Sequence, residues 1–91
     1  MLDKKVEPYP DVTCTEFEDE GVLLNLETKT YYTLNKPGIY VWNLIKNGQS
    51  PSEIVQRVKE EFEIDEETAE NNVSNLIQEL LKEQLVKVED G

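Results

Sequence analysis

One stretch of the chain, residues 20–42, constrains the fold most, because its hydrophobic period changes along its length. Side chains alternate with a period of two over residues 22–26, and the alternation resumes over residues 30–34 with β-branched and aromatic types. Residues 27–29 lie between these runs and form the turn of a predicted hairpin. Asn35 then caps a predicted helix whose apolar residues point inward.

The predicted strand over residues 30–34 is short and comes last in its meander, so we expect it at an edge of the sheet. An edge strand carries unpaired backbone donors and acceptors, which a protein either protects or uses. Residues 12–18 also alternate and are predicted as a first strand, with a turn at Gly21 into the second. The expected sheet is therefore a three-stranded antiparallel meander.

Two more helices are predicted after the one that Asn35 caps. Residues 50–53 read Ser-Pro-Ser-Glu, a capping box with proline at the first helical position. Asp65 is expected to cap the longest helix, over residues 65–83, and residues 85–88 to form a tail strand or docked coil. The second and third helices resemble a helix-turn-helix, so the expected fold class is α+β: a winged-helix-turn-helix-like domain over residues 12–88, with a three-stranded antiparallel sheet followed by three helices.

The expected core is built around Trp42, the largest apolar side chain, together with Leu34 and Tyr32. Residues 1–11 are expected to form a loosely held, extended N-terminal arm, because prolines at positions 8 and 10 keep it extended.

The third predicted helix carries two apolar rows, Leu76 with Leu80 and Ile77 with Leu81, each at a spacing of four residues. One row can pack on the core while part of the other faces a ligand, although burial of both rows is an equally open interpretation. We expect Val73, Leu76 and Leu80 to face outward, and Ile77 and Leu81 to face the core.

The composition disfavours several functional classes. Twenty acidic residues against nine basic ones give a formal net charge of −11, which repels phosphate backbones and anionic lipids. The chain has no histidine, the usual general base and the commonest metal ligand. Its single cysteine, Cys14, is expected to pack as a small apolar residue. We therefore expect a non-enzyme without a cofactor or a metal, and the negative charge serves either solubility alone or the attraction of a basic peptide.

A helix-turn-helix also suggests a DNA-binding transcription regulator. Recognition of DNA requires cations on the outer face of the third helix, and that face carries acidic residues and amides, with no cation before Lys82. The alternative is strand addition, in which an extended peptide pairs with the exposed edge. No apolar run is long enough to cross a membrane and no signal region is apparent, so we expect a cytoplasmic protein.

Residues 22–65, followed by the later segment ENNVSNLIQELLKEQLV, resemble the PqqD-like family of RiPP recognition elements. The resemblance covers residues 12–88 and depends on the order and spacing of small features. These are the strand ending Leu24-Asn25-Leu26, the run Tyr31-Tyr32-Thr33-Leu34-Asn35, Gly38, Trp42, Gly48, the helix start at Ser50–Ile54, and Leu76, Leu80, Leu81 and Leu85.

The resemblance implies that the protein binds the leader of a ribosomally made precursor peptide between its third strand and third helix. It also implies that the protein catalyses nothing itself and presents the precursor to a processing enzyme, such as a leader protease, a cyclase or a radical enzyme. Members serve lasso peptides, other modified peptides or a quinone cofactor, and LNKPGIYVW resembles the first two groups more closely. The peptide-binding residues implied here are Thr30, Tyr31, Tyr32, Thr33, Leu34, Asn72, Val73, Leu76, Ile77, Glu79 and Leu80.

The chain departs from the family pattern at two turns. Thr28-Lys29 occupies a hairpin position where the family often has glycine, and Gln84 stands where glycine often precedes the last apolar pair. Both departures are expected to affect turn geometry and to leave the groove intact.

Overall fold

The structure, a computed structural model, describes residues 4–89. Strands β2, β3 and β4 form an antiparallel sheet in that order, and β1 pairs antiparallel with β5 in a second, two-stranded sheet. The predicted α+β class, with a three-stranded sheet followed by three helices, is confirmed. The elements are β1 (Val6–Pro8), β2 (Val12–Glu16), β3 (Gly21–Asn25), β4 (Tyr31–Leu34), α1 (Lys36–Lys46), α2 (Pro51–Phe62), α3 (Glu66–Lys82) and β5 (Val86–Val88).

The predicted helix caps are confirmed by their hydrogen bonds. The Gly38 backbone N–H donates to the side-chain oxygen of Asn35 at 3.0 Å. At α2, Ser50 and Glu53 form the reciprocal pair of a capping box. The Thr68 backbone N–H donates to the Asp65 carboxylate at 2.8 Å, which satisfies a backbone donor that the first turn of α3 cannot pair.

Asn25 joins the hairpin to the end of α3, a role that the sequence pattern did not indicate. Its side chain is 4% exposed. Its amide nitrogen donates to the Gln84 carbonyl at 2.7 Å, and its side-chain oxygen accepts from the backbone N–H groups of Glu27 and Thr28. A buried amide with all these partners is stabilising, because it replaces the hydrogen bonds to water that it loses.

The core lies between the inner face of the three-stranded sheet and the helices. Trp42 and Leu34 are buried there, as predicted. Tyr32 is only half-buried, so its assignment to the core is wrong. The reason is its polar end: the hydroxyl reaches out to the Glu79 carboxylate on α3.

The facing of α3 differs from the prediction. Val73 and Leu80, expected outward, are buried at 1% and 0% exposure, and Ile77 is buried as predicted. Leu81, expected in the core, is half-buried. Leu76 is also half-buried, as the outward interpretation requires. The buried residues are spaced four, four and three apart from Ala69 to Leu80, which keeps them on a single helix face.

Part of the predicted N-terminal arm is structured. Val6–Pro8 forms β1, and Val6 is 4% exposed, so a loosely held arm is wrong for these residues. The tail that pairs with it, Val86–Val88, is a strand, the first of the two alternatives expected for this segment. Lys87 also forms an ion pair with Glu7 across the two strands at 3.7 Å. Residues 1–3 of the arm lie outside the described part of the chain.

Candidate peptide-binding groove

Strand β4 lies at one edge of its sheet, and its backbone groups alternate in direction. The Asn25 N–H donates to the Thr30 carbonyl at 2.9 Å, which makes these two residues a hydrogen-bonded pair. Hydrogen-bonded pairs recur at every second residue of an antiparallel ladder. Tyr32 therefore directs its backbone N–H and carbonyl toward β3, whereas Tyr31 and Thr33 direct theirs away from the sheet.

The side chains of β4 divide between two faces of the sheet. Tyr31 is 71% exposed and Thr33 is also exposed, on the face away from the helices. Tyr32 is half-buried and Leu34 is fully buried, on the face toward the helices. A strand added at this edge would therefore place every second side chain on the helical side.

A groove of about 630 Å³ runs along this helical side, between β4 and α3, and we call it the β4–α3 groove. Its lining is mostly apolar, with polar residues contributed by β4, by the start of α1, by α3 and by the segment before β3. The lining residues are Glu20, Tyr32, Thr33, Leu34, Asn35, Pro37, Gly38, Val41, Val58, Phe62, Ile64, Asn72, Val73, Asn75, Leu76 and Glu79.

The structure brings some of the implied binding residues together and separates others. Along the groove lie Tyr32, Thr33, Leu34, Asn72, Val73, Leu76 and Glu79. Ile77 and Leu80 are buried in the core instead, and the side chains of Thr30 and Tyr31 do not line the groove.

Several lining residues were not identified from the sequence. Phe62 and Ile64 line the groove from the end of α2 and from the loop after it. In the sequence, these two large apolar residues stand among acidic neighbours at the end of α2. Such residues usually have a contact, so this pattern could have indicated a binding surface.

Gly38 allows α1 to begin close to β4. A side-chain carbon added at this glycine would lie 3.1 Å from the Leu34 Cδ2 and 3.1 Å from the Asn35 side-chain oxygen. Both distances are tighter than ordinary van der Waals contacts. The absence of a side chain at this position therefore helps to keep the groove end open beside Leu34.

A hydrogen bond joins the two walls of the groove, from the Tyr32 hydroxyl on β4 to the Glu79 carboxylate on α3. This bond, with partial burial and the negative charges of Glu79 and Glu83, raises the pKa of Tyr32 to about 12. The phenol therefore stays neutral and donates throughout the neutral range. Glu79 is held in place while its carboxylate remains at the rim of the groove.

The groove is acidic where it is charged. Among residues 4–89, Glu20 and Glu79 are the charged residues that line it, and no lysine or arginine does so. The exposed first turns of α3 carry Glu66 and Glu67, so this helix presents no cation to a nucleic acid there. Within residues 4–89 no three metal-ligating side chains converge, and no helix is long and apolar enough to span a membrane.

Comparisons with known proteins agree with this geometry. The sequence model of the family described as coenzyme PQQ synthesis protein D (PqqD) matches residues 20–86. A solved structure of TbiB1 in complex with the TbiA(beta) leader peptide is 29% identical, with a TM-score of 0.84, and the match covers 93% of this chain and 99% of that one. A lasso peptide synthetase B1 complexed with the leader peptide is similar in fold, at 20% identity and a TM-score of 0.82, over 91% of this chain and 98% of that one. No curated protein matches significantly.

Proposed function

This chain belongs to the PqqD family, and on that premise we propose that it binds the leader segment of a ribosomally synthesised precursor peptide and presents it to a processing enzyme. The observation that carries the proposal is the exposed edge of β4 lying directly beside an apolar groove. An edge supplies backbone hydrogen bonds for affinity, and a neighbouring groove supplies side-chain selectivity.

The leader would add as a fourth strand to the sheet. The backbone groups of Tyr31 and Thr33 point outward and would pair with it, because those of Tyr32 are already used by β3. Every second leader side chain would then enter the β4–α3 groove, where Leu76 is half-buried and accessible. The groove volume of about 630 Å³ is within the usual range for ligand sites, about 300–1,000 Å³.

We propose a role in the biosynthesis of lasso peptides or related modified peptides. The solved structure that is 29% identical is a leader-peptide complex of TbiB1, and it covers nearly all of both chains. Chaperoning of a peptide in quinone-cofactor biosynthesis is the second candidate, because the matching family model is that of PqqD. The genes beside this one distinguish the two: a short precursor with a leader protease and a cyclase favours the first, and quinone-cofactor genes favour the second.

The protein would act by binding, with catalysis left to the partner enzyme. Since precursor peptides are made on ribosomes, we propose that it works in the cytoplasm. The protein alone is expected to leave a bound precursor chemically unchanged, as checked by mass spectrometry after prolonged incubation. It is also expected not to shift duplex DNA at physiological salt, because its net charge of −11 opposes phosphate binding.

The decisive experiment compares two leucines of α3 that are both half-buried. Leu76 lines the groove and Leu81 does not. Binding of the fluorescein-labelled leader of the precursor encoded beside this gene is measured by anisotropy for Leu76→Asp and Leu81→Asp, with thermal midpoints on the same samples. We expect Leu76→Asp to stay folded and to lose affinity by about tenfold or more, equivalent to about 1.4 kcal/mol.

The control separates binding from folding. Leu76 and Leu81 both pack against the core, so each aspartate is expected to lower the thermal midpoint, while folded Leu81→Asp binds the leader as before. Unchanged leader affinity in folded Leu76→Asp would overturn the use of this groove. Absence of leader binding by the wild-type protein would overturn the proposed function itself.

A further inference from the structure

The α3 wall of the β4–α3 groove ends in a carboxylate. Phe62 and Ile64 line the groove from just before α3, whereas Glu79 lines it from the last turn of that helix. At a rise of about 1.5 Å per residue, Glu79 lies about 20 Å along the helix from its N-cap, Asp65. Large apolar side chains and the carboxylate are thus contributed from opposite ends of α3.

The Glu79 carboxylate has no cationic partner within residues 4–89. The ion pairs in this part of the chain lie on other residues, and Lys82 in the same helical turn is not among them. The hydrogen bond from the Tyr32 hydroxyl orients the carboxylate and leaves its charge in place, because the phenol is neutral. Glu79 also lies at the negative end of the α3 macrodipole, where a cation is stabilised.

The register of an added strand places one peptide side chain near this carboxylate. Tyr32 and Leu34 point toward the helices, so the peptide residues paired directly opposite them point the same way. Side chains directly opposite each other lie about 4.5–5.5 Å apart at Cβ. A long side chain opposite Tyr32 can therefore reach Glu79, because the Tyr32 hydroxyl itself reaches it.

We infer, on the basis of the proposed function, that Glu79 selects a lysine or arginine at the leader position opposite Tyr32, two residues from an apolar side chain opposite Leu34. The alkyl stem of the cation would pack along Tyr32 and Leu76, and its charged head would meet Glu79 at the exposed rim. The net charge of −11 would speed the encounter with such a segment.

Glutamine at position 79 separates this role from a purely structural one. If Glu79 serves only as an acceptor for the Tyr32 hydroxyl, the amide oxygen of Glu79→Gln can replace it and leader selection stays the same. If the charge selects the leader, the same variant loses the selection. At an exposed rim a single ion pair changes affinity by about fivefold or less, so the expected effect is one of preference.

The test uses an array of short overlapping segments of the leader encoded beside this gene, with each position replaced in turn by alanine, lysine and glutamate. Binding of labelled wild-type protein is compared with that of Glu79→Gln and Glu79→Lys, with circular dichroism to confirm folding. Glu67→Gln is the matched control, because Glu67 is an exposed glutamate of α3 outside the groove and its loss changes the net charge equally.

For the wild-type protein we expect lysine to be preferred over glutamate by about fivefold at one position, beyond any preference that all positions share. That position should lie two residues from the apolar position where alanine lowers affinity most. Glu79→Gln should remove the preference, Glu79→Lys should reverse it to glutamate, and Glu67→Gln should keep it. The preference should shrink at about 1 M salt, where the screening length is about 3 Å.

The outcomes separate this inference from the function on which it rests. If a segment binds, loses affinity with Leu76→Asp, and accepts glutamate as well as lysine at every position, the charge selection is overturned and leader binding stands. A preference that survives in Glu79→Gln would also overturn it, as would an odd separation from the apolar position, which puts the two side chains on opposite faces. If no segment binds the wild-type protein, the proposed function is overturned, and the charge selection with it.

Discussion

The two edges of the three-stranded sheet have the same backbone chemistry and different surroundings. The Phe17 N–H donates to the Glu20 carbonyl, so β2 directs the backbone groups of Cys14 and Glu16 away from the sheet. Strand β4 does the same with Tyr31 and Thr33. Each edge therefore exposes donors and acceptors that another strand could pair with.

The difference lies in what stands beside each edge. Strand β4 and helix α3 form the walls of the groove, and no residue of β2 lines it. The last residue of β2 is Glu16, a charged residue of the kind that protects an edge against pairing. An edge thus becomes a binding site when neighbouring side chains can select what pairs with it.

The largest expected effect comes from placing proline at each edge. Thr33→Pro removes an outward N–H and should reduce leader affinity by about tenfold or more, because a peptide loses a backbone hydrogen bond and the edge is distorted. Glu16→Pro makes the same change on β2 and should leave affinity unchanged. Binding is measured by calorimetry, with circular dichroism to confirm folding.

The control for side-chain loss is Thr33→Ala, which keeps the N–H and should bind nearly as well as the wild-type protein. Equal affinity of folded Thr33→Pro and wild type would exclude strand addition at β4. A loss with Glu16→Pro alone would move the binding site to the opposite edge.

Amide exchange gives a second measure of the same contrast. Tyr31 and Thr33 have outward N–H groups, so leader binding should slow their exchange by about tenfold or more. Exchange at Cys14 and Glu16 should change little, since nothing pairs with them. Uniform slowing over both strands would instead indicate global stabilisation without a preferred edge.

A smaller effect is expected at two turns, the one that leads into β4 and the one that follows α3. Lys29 in the first has φ 66° and Gln84 in the second has φ 59°, a left-handed conformation that favours glycine. Lys29→Gly and Gln84→Gly should each raise the free energy of unfolding by about 1 kcal/mol, measured by urea denaturation. Glu27→Gly, in the same turn without a positive φ, should bring no gain. Leader affinity should stay constant in all three, and a change with Lys29→Gly would mean that the β4 edge depends on turn geometry.

The smallest effect concerns the titration of two residues that flank Leu23 on opposite strands, Cys14 and Tyr32. Burial, with the negative charge of Glu16, raises the pKa of the Cys14 thiol, whereas a hydrogen bond raises the pKa of Tyr32 to about 12. Because the folded-state pKa of Tyr32 exceeds the unfolded value near 10, its contribution to stability is complete below pH 10 and is lost as the pH rises through about 12.

Ultraviolet absorbance should therefore show one tyrosine of the four ionising near pH 12 in the wild-type protein. Glu79→Gln should lower that pKa toward 10, since it removes the carboxylate acceptor. Tyr32→Phe should lose the corresponding decline in stability. An unshifted tyrosine in the wild-type protein would mean that the bond across the groove does not form in solution.

Much of the fold could be predicted from the sequence because its signals are local. The capping box at Ser50 and the caps at Asn35 and Asp65 satisfy backbone donors within three residues of themselves. The alternation around the β3–β4 turn similarly depends on neighbours in the chain. Leu76 lines the groove, and its role in peptide binding stays a prediction.

Features that depend on contacts between distant segments could not be predicted from the sequence. The sequence wrongly predicts which side of α3 faces the core at Val73 and Leu80, because both rows of that helix are apolar and only its packing on α2 and β5 decides between them. The sequence pattern wrongly places Tyr32 in the core, because its partner, Glu79, is distant in sequence.

The sequence by itself thus determined the identity and limits of the helices and the three-stranded meander, since hydrophobic period and caps act over a few residues. The tertiary structure alone decided that Val6–Pro8 pairs with Val86–Val88, and that the β4 edge lies beside a mostly apolar groove. Those arrangements result from contacts between segments far apart in the chain, which no local pattern encodes.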